Sequence, residues 1–123
     1  MSEQDLRAAV EQQAHAHVTG DEAAFASWME PGAVVELGRT AEQARGIRPR
    51  RFNIITVAAN DAGGSSAVRY DGGGSYVIEQ RWELSGGGWK AVRAERPPES
   101  IRQPRWRRLF ARRQPAPERR DLS

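Results

Sequence analysis

Side chains from Tyr76 to Leu84 alternate between a mainly uncharged and a mainly charged set. One set holds Tyr76, Ile78, Gln80, Trp82 and Leu84, and the other holds Val77, Glu79, Arg81 and Glu83. A period of two predicts a β-strand with one covered face. Three glycines follow at 86–88 and Trp89 restarts the alternation, so residues 75–96 predict a long β-hairpin.

The glycines also predict a register for this hairpin. With Gly86 and Gly87 as a two-residue loop, the facing pairs are Leu84 and Trp89, Trp82 and Ala91, Gln80 and Arg93, and Ile78 and Glu95. The other face pairs Glu83 with Lys90, which have opposite charges. In this register Tyr76, Gln80, Arg93 and Glu95 share one face. That face is either the wall of a wet pocket or the solvated end of the sheet.

The first part of the chain has helical spacing instead. Residues 2–18 place one stripe on a helix, formed by Leu6, Val10, Gln13, Ala14 and His17. Ser2 and Asp5 predict a capping box at its start, and Gly20 predicts a left-handed cap at its end. Asp21 is expected to cap a second helix, 22–29, that ends at Pro31.

Shorter segments connect this helical part to the hairpin. AVVEL at 33–37 predicts a short strand, and residues 40–44 one helical turn. FNIITVAA at 52–59 is apolar on both faces and predicts a strand in the interior of the sheet. Residues 60–66 predict a turn and 67–70 another strand. The order predicts an α+β fold, with a curved antiparallel sheet of four to five strands and the N-terminal helices packed on one face.

Charge divides the chain into a body and a tail. Pro97 and Pro98 end the last predicted strand. Residues 99–123 carry eight arginines and three acidic residues, a net charge of +5, which leaves −2 for residues 1–98. We therefore predict one domain at 1–98 and an Arg-rich, largely disordered tail at 99–123.

Composition also excludes some classes of function. The chain has no cysteine, so disulfides and thiolate chemistry are excluded. Its start lacks the apolar core of a signal peptide, and no run is long enough to cross a membrane, so we expect a cytoplasmic protein. His15 and His17 point to different sides of the first helix, and we expect neither a metal nor another cofactor.

One stretch of the tail combines aromatic and basic residues. Trp106, Leu109 and Phe110 have the spacing of one helix face, between arginines. Such a stretch predicts binding to an anionic lipid surface or a nucleic-acid backbone, here through Arg105, Trp106, Arg107, Arg108 and Phe110. The alternative is a solubilising tail whose arginines reflect composition alone.

Two stretches carry a likeness to a known family: LRAAVEQQAHAHVTGDEAAFASWMEPGAVVEL at 6–37 and SYVIEQRWELSGGGWKAVRAERP at 75–97. The first is similar to the helix, Gly-Asp hinge, second helix and first strand of the SnoaL-like bacterial branch of the nuclear transport factor 2-like superfamily. The second is similar to the closing hairpin of that family. The resemblance implies a cone-shaped, cystatin-like α+β roll with an inner pocket, and a homodimer through the outer face of the sheet.

The pocket that the resemblance implies would be lined by Gln13, His17, Trp28, Tyr76, Gln80, Trp82 and Arg93. His17 is a catalytic candidate because imidazole titrates near neutrality, and its alternative is a core or capping histidine. Glu36, Tyr76 and Glu95 are further candidates, since a buried carboxyl and a phenol can act as base and hydrogen-bond donor on a carbonyl compound. The alternative for Arg93 is a surface pair with Glu95 or Gln80.

Family enzymes of the ketosteroid-isomerase and polyketide-cyclase kind use an acidic residue or a His/Asp pair as base, with a Tyr or Asp donor. No such pair can be placed on this sequence, so whether the protein is an enzyme is left open. We expect a pocket for a small apolar or carbonyl-bearing molecule, with proton transfer of isomerase or cyclase type as its chemistry. The competing hypothesis is a binding or adaptor module that the tail tethers to an anionic membrane, a nucleic acid or an acidic protein.

Overall fold

Three helices precede a four-stranded antiparallel meander in the computed structural model, which describes residues 2–104. The helices are α1 (Glu3–Thr19), α2 (Glu22–Ser27) and α3 (Pro31–Gly38). The strands are β1 (Arg51–Asn60), β2 (Gly63–Asp71), β3 (Ser75–Ser85) and β4 (Gly88–Glu95), and short 3₁₀ turns lie at Glu42–Ala44 and Pro98–Ser100. The predicted α+β class with helices before an antiparallel sheet is confirmed.

The helix boundaries at the N-terminus follow the predicted caps. Ser2 Oγ accepts the backbone N–H of Asp5, and the Asp5 carboxylate accepts the backbone N–H of Ser2, which completes the capping box. Gly20 has a φ of 84° and ends α1 in the left-handed conformation. Asp21 then caps α2 through the N–H of Ala24. These caps set the angle between the two helices and so place His17 near the start of α2.

Helix α3 corrects the strand predicted at 33–37. Pro31 lies in its first turn, where the fixed φ of proline suits a helix and its missing N–H costs no hydrogen bond. Ala33 and Leu37 are buried four residues apart, whereas Val34 and Val35 between them are exposed. The two valines suggested a strand by propensity, but burial follows the helical period. Pro31 therefore begins a helix rather than ending one.

Strand β1 lies at one edge of the sheet, not in its interior as predicted. Its register against β2 shifts between Ile54 and Thr56, so Ile55 sits at a bulge and is exposed. The run of apolar residues therefore comes from a change of face at the bulge and not from burial on both faces. β2 also begins at Gly63, four residues earlier than predicted, since the turn occupies only 61–62.

The hairpin register is confirmed near its turn and wrong beyond it. Leu84 pairs with Trp89, Glu83 with Lys90 and Trp82 with Ala91, as predicted. The register then shifts, so that Gln80 faces Ala94, Arg81 faces Arg93 and Glu79 faces Glu95. One extra residue in β4, Val92, forms a bulge and reverses the faces of all residues after it. Arg93 and Glu95 therefore lie on the outer face, away from Tyr76 and Gln80.

The free edge of β4 is covered by the segment between α2 and α3. Ala91 donates its N–H to the carbonyl of Trp28 at 2.8 Å, and accepts the N–H of Glu30 at 2.8 Å. Further along, the Glu36 carboxylate accepts the N–H of Ala94 at 3.0 Å. These bonds satisfy backbone groups that an edge strand would otherwise expose.

The first residues of the predicted tail pack against β3. Ser75 and Arg102 exchange backbone hydrogen bonds of 3.0 and 2.7 Å, and Pro104 is buried. The predicted boundary after Pro98 therefore falls six residues before the last packed residue that the structure describes. The predicted tail contacts at 105–108 and 110 lie outside the described residues. None of the helices within 2–104 is long and apolar enough to span a membrane.

Candidate functional site

The inner face of the sheet meets helix α1 along β3. Two polar residues of α1, Gln13 and His17, are four positions apart on its buried stripe. Two polar residues of β3, Gln80 and Tyr76, are four positions apart on its inner face. Each residue of α1 meets one of β3, so the buried interface contains two polar contacts side by side.

In the first contact, two side-chain amides form hydrogen bonds to each other. The side-chain amides of Gln13 and Gln80 donate to each other at 2.9 and 2.7 Å, and both residues are buried. Beside them the Trp82 indole N–H donates to Ser66 Oγ at 2.9 Å. The ring of Trp28 packs edge-on against Trp82, with centroids 6.4 Å apart. We call Gln13, Ser66, Gln80 and Trp82 the amide cluster.

The second contact is a chain of three titratable groups. His17 Nε2 lies 2.6 Å from the Tyr76 hydroxyl, and His17 Nδ1 lies 3.2 Å from a carboxylate oxygen of Glu22. An ionised carboxylate only accepts hydrogen bonds, so the neutral imidazole carries its proton on Nδ1. Nε2 then accepts the hydroxyl proton of Tyr76. We call Glu22, His17 and Tyr76 the relay.

Aromatic rings shield the imidazole of the relay from most of the solvent. Phe25 stacks on the His17 ring at 4.4 Å, and Tyr70 meets it edge-on at 4.7 Å. Burial lowers the pKa of His17, the Glu22 carboxylate partly opposes that shift, and the positive charge of Arg96 adds to it. The imidazole is therefore neutral at physiological pH.

The phenol of the relay is also held in its neutral form. Burial raises the pKa of Tyr76 to about 12, and the nearby charge of Arg96 offsets part of that shift. Burial likewise raises the pKa of Tyr70. Because Tyr76 keeps its proton, it can donate a hydrogen bond at neutral pH.

Arg96 completes this part of the interior. Its side chain is 7% exposed, and its guanidinium carbon lies 4.5 Å from the centre of the Tyr76 ring. Nη1 donates to Thr40 Oγ1 at 3.0 Å and approaches the Leu37 carbonyl at 3.5 Å. Nε is buried and has no hydrogen-bond partner within residues 2–104. A donor of a charged group left unpaired in the interior is unusual and marks this position.

Two cavities adjoin the relay and Arg96. The larger, of about 490 Å³, is lined by His17, Glu22, Tyr76 and Arg96 together with the 41–49 segment. The smaller, of about 270 Å³, shares His17, Glu22 and Arg96 and has an apolar wall of Phe25, Met29, Val34 and Leu37. The relay therefore adjoins space of small-molecule size, with polar groups on one side and apolar groups on the other.

No model of a known protein family matches this chain. A search of curated proteins likewise gives no significant match. The resemblance inferred from residues 6–37 and 75–97 therefore stays a prediction.

The remaining predicted site residues lie elsewhere. The Glu36 carboxylate accepts two hydrogen bonds from the Arg93 guanidinium, of which the shorter is 2.8 Å. These bonds and the N–H of Ala94 hold the pKa of Glu36 at about 2. Glu36, Arg93 and Glu95 line a separate crevice of about 420 Å³ on the outer face of the sheet. The structure does not bring Glu36, Arg93 or Glu95 together with His17 and Tyr76.

Sequence reasoning missed Glu22 and Arg96. Glu22 reaches His17 only because the chain turns back at Gly20, and a carboxylate five positions after a helical histidine gives no periodic signal. Arg96 follows the bulge in β4, which reverses the face that alternation would assign to it. Among the described residues no group of three or more His, Cys, Asp or Glu side chains is placed to hold a metal ion, and His15 is exposed.

Proposed function

We propose that this protein binds a small carbonyl-bearing molecule in the cavities beside the relay and transfers a proton to or from it. The observation that carries the proposal is the buried 2.6 Å hydrogen bond between Tyr76 and His17 at the wall of a cavity. A phenol that is backed by an imidazole, which is in turn backed by a carboxylate, has the same order of groups as a carboxylate–histidine–hydroxyl triad.

The relay can move a proton without creating an isolated buried charge. A proton leaves an acidic C–H or O–H of the ligand for the Tyr76 oxygen, while the Tyr76 proton moves to His17 Nε2. The imidazolium that forms is stabilised by the Glu22 carboxylate on Nδ1. The reverse movement returns a proton to the carbon of an enolate or to an alkoxide oxygen. Since Glu22 is 64% exposed, the chain of groups also links the cavity to solvent.

Opposite pKa shifts define the resting state of this relay. The pKa of His17 is lowered and the pKa of Tyr76 is raised, so the proton rests on Tyr76 at neutral pH. The phenol already donates its one proton to His17 Nε2, so its oxygen acts as a base towards the ligand only when that proton moves to His17 in the same step. The neutral resting state supports reactions of carbonyl compounds such as enolisation.

The proposal includes the finer shape that the resemblance implies, a cone-shaped roll of the SnoaL-like kind. Helices over one face of an antiparallel meander, with cavities between them, support it. The homodimer through the outer face stays a prediction, and that face carries charged neighbours, among them Arg81 and Arg93. The tethering function of the tail also stays a prediction because its residues lie outside the described part of the chain.

The test uses acetophenone, a small neutral ketone with exchangeable methyl protons. Incubated with the protein in D2O, acetophenone should take up deuterium at its methyl group faster than in buffer, as followed by proton NMR. Tyr76→Phe removes the hydroxyl that exchanges a proton with the ligand, and His17→Gln removes the titrating group, so each should lower the protein-dependent rate by about 100-fold or more.

The matched control is Tyr70→Phe. It removes a phenol hydroxyl beside His17 but keeps the aromatic ring contact and all three groups of the relay. The exchange rate of this variant should stay near that of the wild type. Exchange no faster than in buffer for the wild type, or an unchanged rate in both relay variants, would contradict the proposal.

A further inference from the structure

Arg96 has a donor that the rest of the described chain leaves unused. The residue is 7% exposed, and its Nε has no hydrogen-bond partner among residues 2–104. A buried donor on a charged group is costly to leave unpaired, so a partner is expected at this position. We propose that Arg96 anchors the carboxylate of an apolar carboxylic acid bound in the two cavities. This inference rests on the proposed function, because it concerns the same pocket.

The contacts of the Arg96 guanidinium favour a ligand with a carboxylate over a ligand with a single acceptor oxygen. Nη1 is directed to Thr40 Oγ1 and the Leu37 carbonyl, which orients the plane of the group. In a guanidinium, Nε–H and the neighbouring terminal N–H are two parallel donors on one edge, the arrangement that pairs with both oxygens of a carboxylate. The ring of Tyr76 lies against the guanidinium and supports this orientation.

The charges around the two cavities favour an anion. Arg96 lines both cavities and Arg48 lines the larger one. The acidic residue among their described lining residues is Glu22, which is 64% exposed and hydrogen-bonded to His17. Since His17 is neutral at physiological pH, the two arginines outweigh the single carboxylate. A negative ligand therefore enters a positive environment.

The apolar wall limits the rest of the ligand. Phe25, Met29 and Leu37 line the smaller cavity, opposite the polar groups of the relay. A ligand whose carboxylate meets Arg96 would place its apolar body against this wall. The ligand class is therefore a compact, largely apolar acid, and an acidic C–H in the same molecule would have the Tyr76 oxygen as its proton acceptor.

Benzoate and acetophenone test this inference because they share a phenyl ring and differ in carrying a carboxylate or a neutral ketone. Titrations of the wild-type protein followed by NMR should give a dissociation constant about tenfold or more lower for benzoate. The Nε–H signal of Arg96 in ¹⁵N-labelled protein should shift with benzoate and stay in place with acetophenone. Weaker or equal binding of benzoate, or an unmoved Arg96 signal, would overturn the inference.

Arg96→Met should remove the preference for benzoate, measured as the ratio of the two dissociation constants within the same variant. The control is Arg69→Met, which removes one positive charge from the outer face of β2 and should retain the preference. Should Arg96→Met fail to fold, Arg96→Lys keeps the charge without the paired donors and should lose most of the preference.

The two hypotheses fail in different ways in this experiment. Binding of acetophenone without any advantage for benzoate overturns only the carboxylate anchor. Absence of binding by both probes at millimolar concentration overturns the anchor and the proposed pocket together.

Discussion

The amide cluster and the relay both join α1 to β3, through residues four positions apart on each element. The groups of the amide cluster bond only to one another, whereas the relay adjoins cavities and reaches solvent. Helix α1 supplies Gln13 to the first and His17 to the second, and β3 supplies Gln80 and Tyr76. The two amides use each other as donor and acceptor, and Trp82 fills the space beside them. The relay instead reaches an exposed carboxylate and adjoins two cavities.

The difference shows that a buried polar contact indicates function only when some of its hydrogen-bond donors or acceptors have no partner within the protein. The Gln13–Gln80 pair has complementary donors and acceptors, so a ligand would have to displace bonds already made. Beside the relay, Arg96 lines the adjoining space, and its buried Nε has no hydrogen-bond partner among residues 2–104. We therefore place the stabilising role in the amide cluster and the ligand site at the relay.

The largest loss of stability is expected from the amide cluster. Trp82 is fully buried, so Trp82→Ala should lower the free energy of unfolding by about 3–5 kcal/mol through lost contacts and a new cavity. Urea denaturation measures this change. Trp28→Ala is the comparison, because Trp28 is only half-buried and should cost clearly less. Equal falls in the free energy of unfolding for the two variants would contradict the prediction that Trp82 contributes more to the core than Trp28.

The amide pair should show strong non-additivity. Gln80→Leu leaves the amide of Gln13 buried and unpaired, at a cost of about 1–3 kcal/mol in the free energy of unfolding. Gln13→Leu should cost a similar amount, whereas the double variant should recover much of the loss because both polar groups are gone. Costs that simply add in urea denaturation would mean that the two amides do not depend on each other.

The relay should separate activity from stability. Tyr76→Phe removes one hydrogen bond from His17, and because His17 lines a cavity that admits water, the free energy of unfolding should fall by only about 0.5–1.5 kcal/mol. The same variant should lose deuterium exchange into acetophenone. A loss of stability as large as that of Trp82→Ala would instead make Tyr76 part of the closed core.

A smaller effect is expected from pH. Burial lowers the pKa of His17, and Glu22 and Arg96 face it with opposite influences while Tyr70 and Tyr76 pack around it. The unfolded chain therefore takes up a proton at a higher pH than the folded chain, and the free energy of unfolding falls as the pH drops below about 6.5. Urea denaturation between about pH 7.5 and 5.5 should show this fall in the wild type and a weaker one in His17→Gln. An identical fall in both would exclude His17 as its source.

Much of the fold follows from local signals in the sequence. The capping box at Ser2, the left-handed Gly20 and the glycine turn of the hairpin are short-range patterns, and the structure contains all three. The strand expected at 33–37 failed because the propensity of two valines was weighed above the proline that begins α3. Tertiary packing, and not the β propensity of the valines, determined the conformation of that segment.

The site was predictable only in part, because the bulge in β4 changes the faces that alternation assigns. His17 and Tyr76 follow regular periods and were singled out from the sequence alone. Arg93 and Arg96 lie beyond the bulge in β4, which moves Arg93 outward and Arg96 inward. A single inserted residue in a strand carries no composition signal, so the sequence analysis placed Arg93 on the inner face and did not single out Arg96.

The contrast between the two regions can be measured in one titration. Acetophenone is added to labelled protein while NMR follows the ring signals of His17 and the side-chain amide signals of Gln13 and Gln80. The account predicts that the His17 signals shift with saturation while both amide signals stay in place. Shifts of the Gln13 and Gln80 amides with an unmoved His17 would contradict it, because the ligand would then enter the region described as closed.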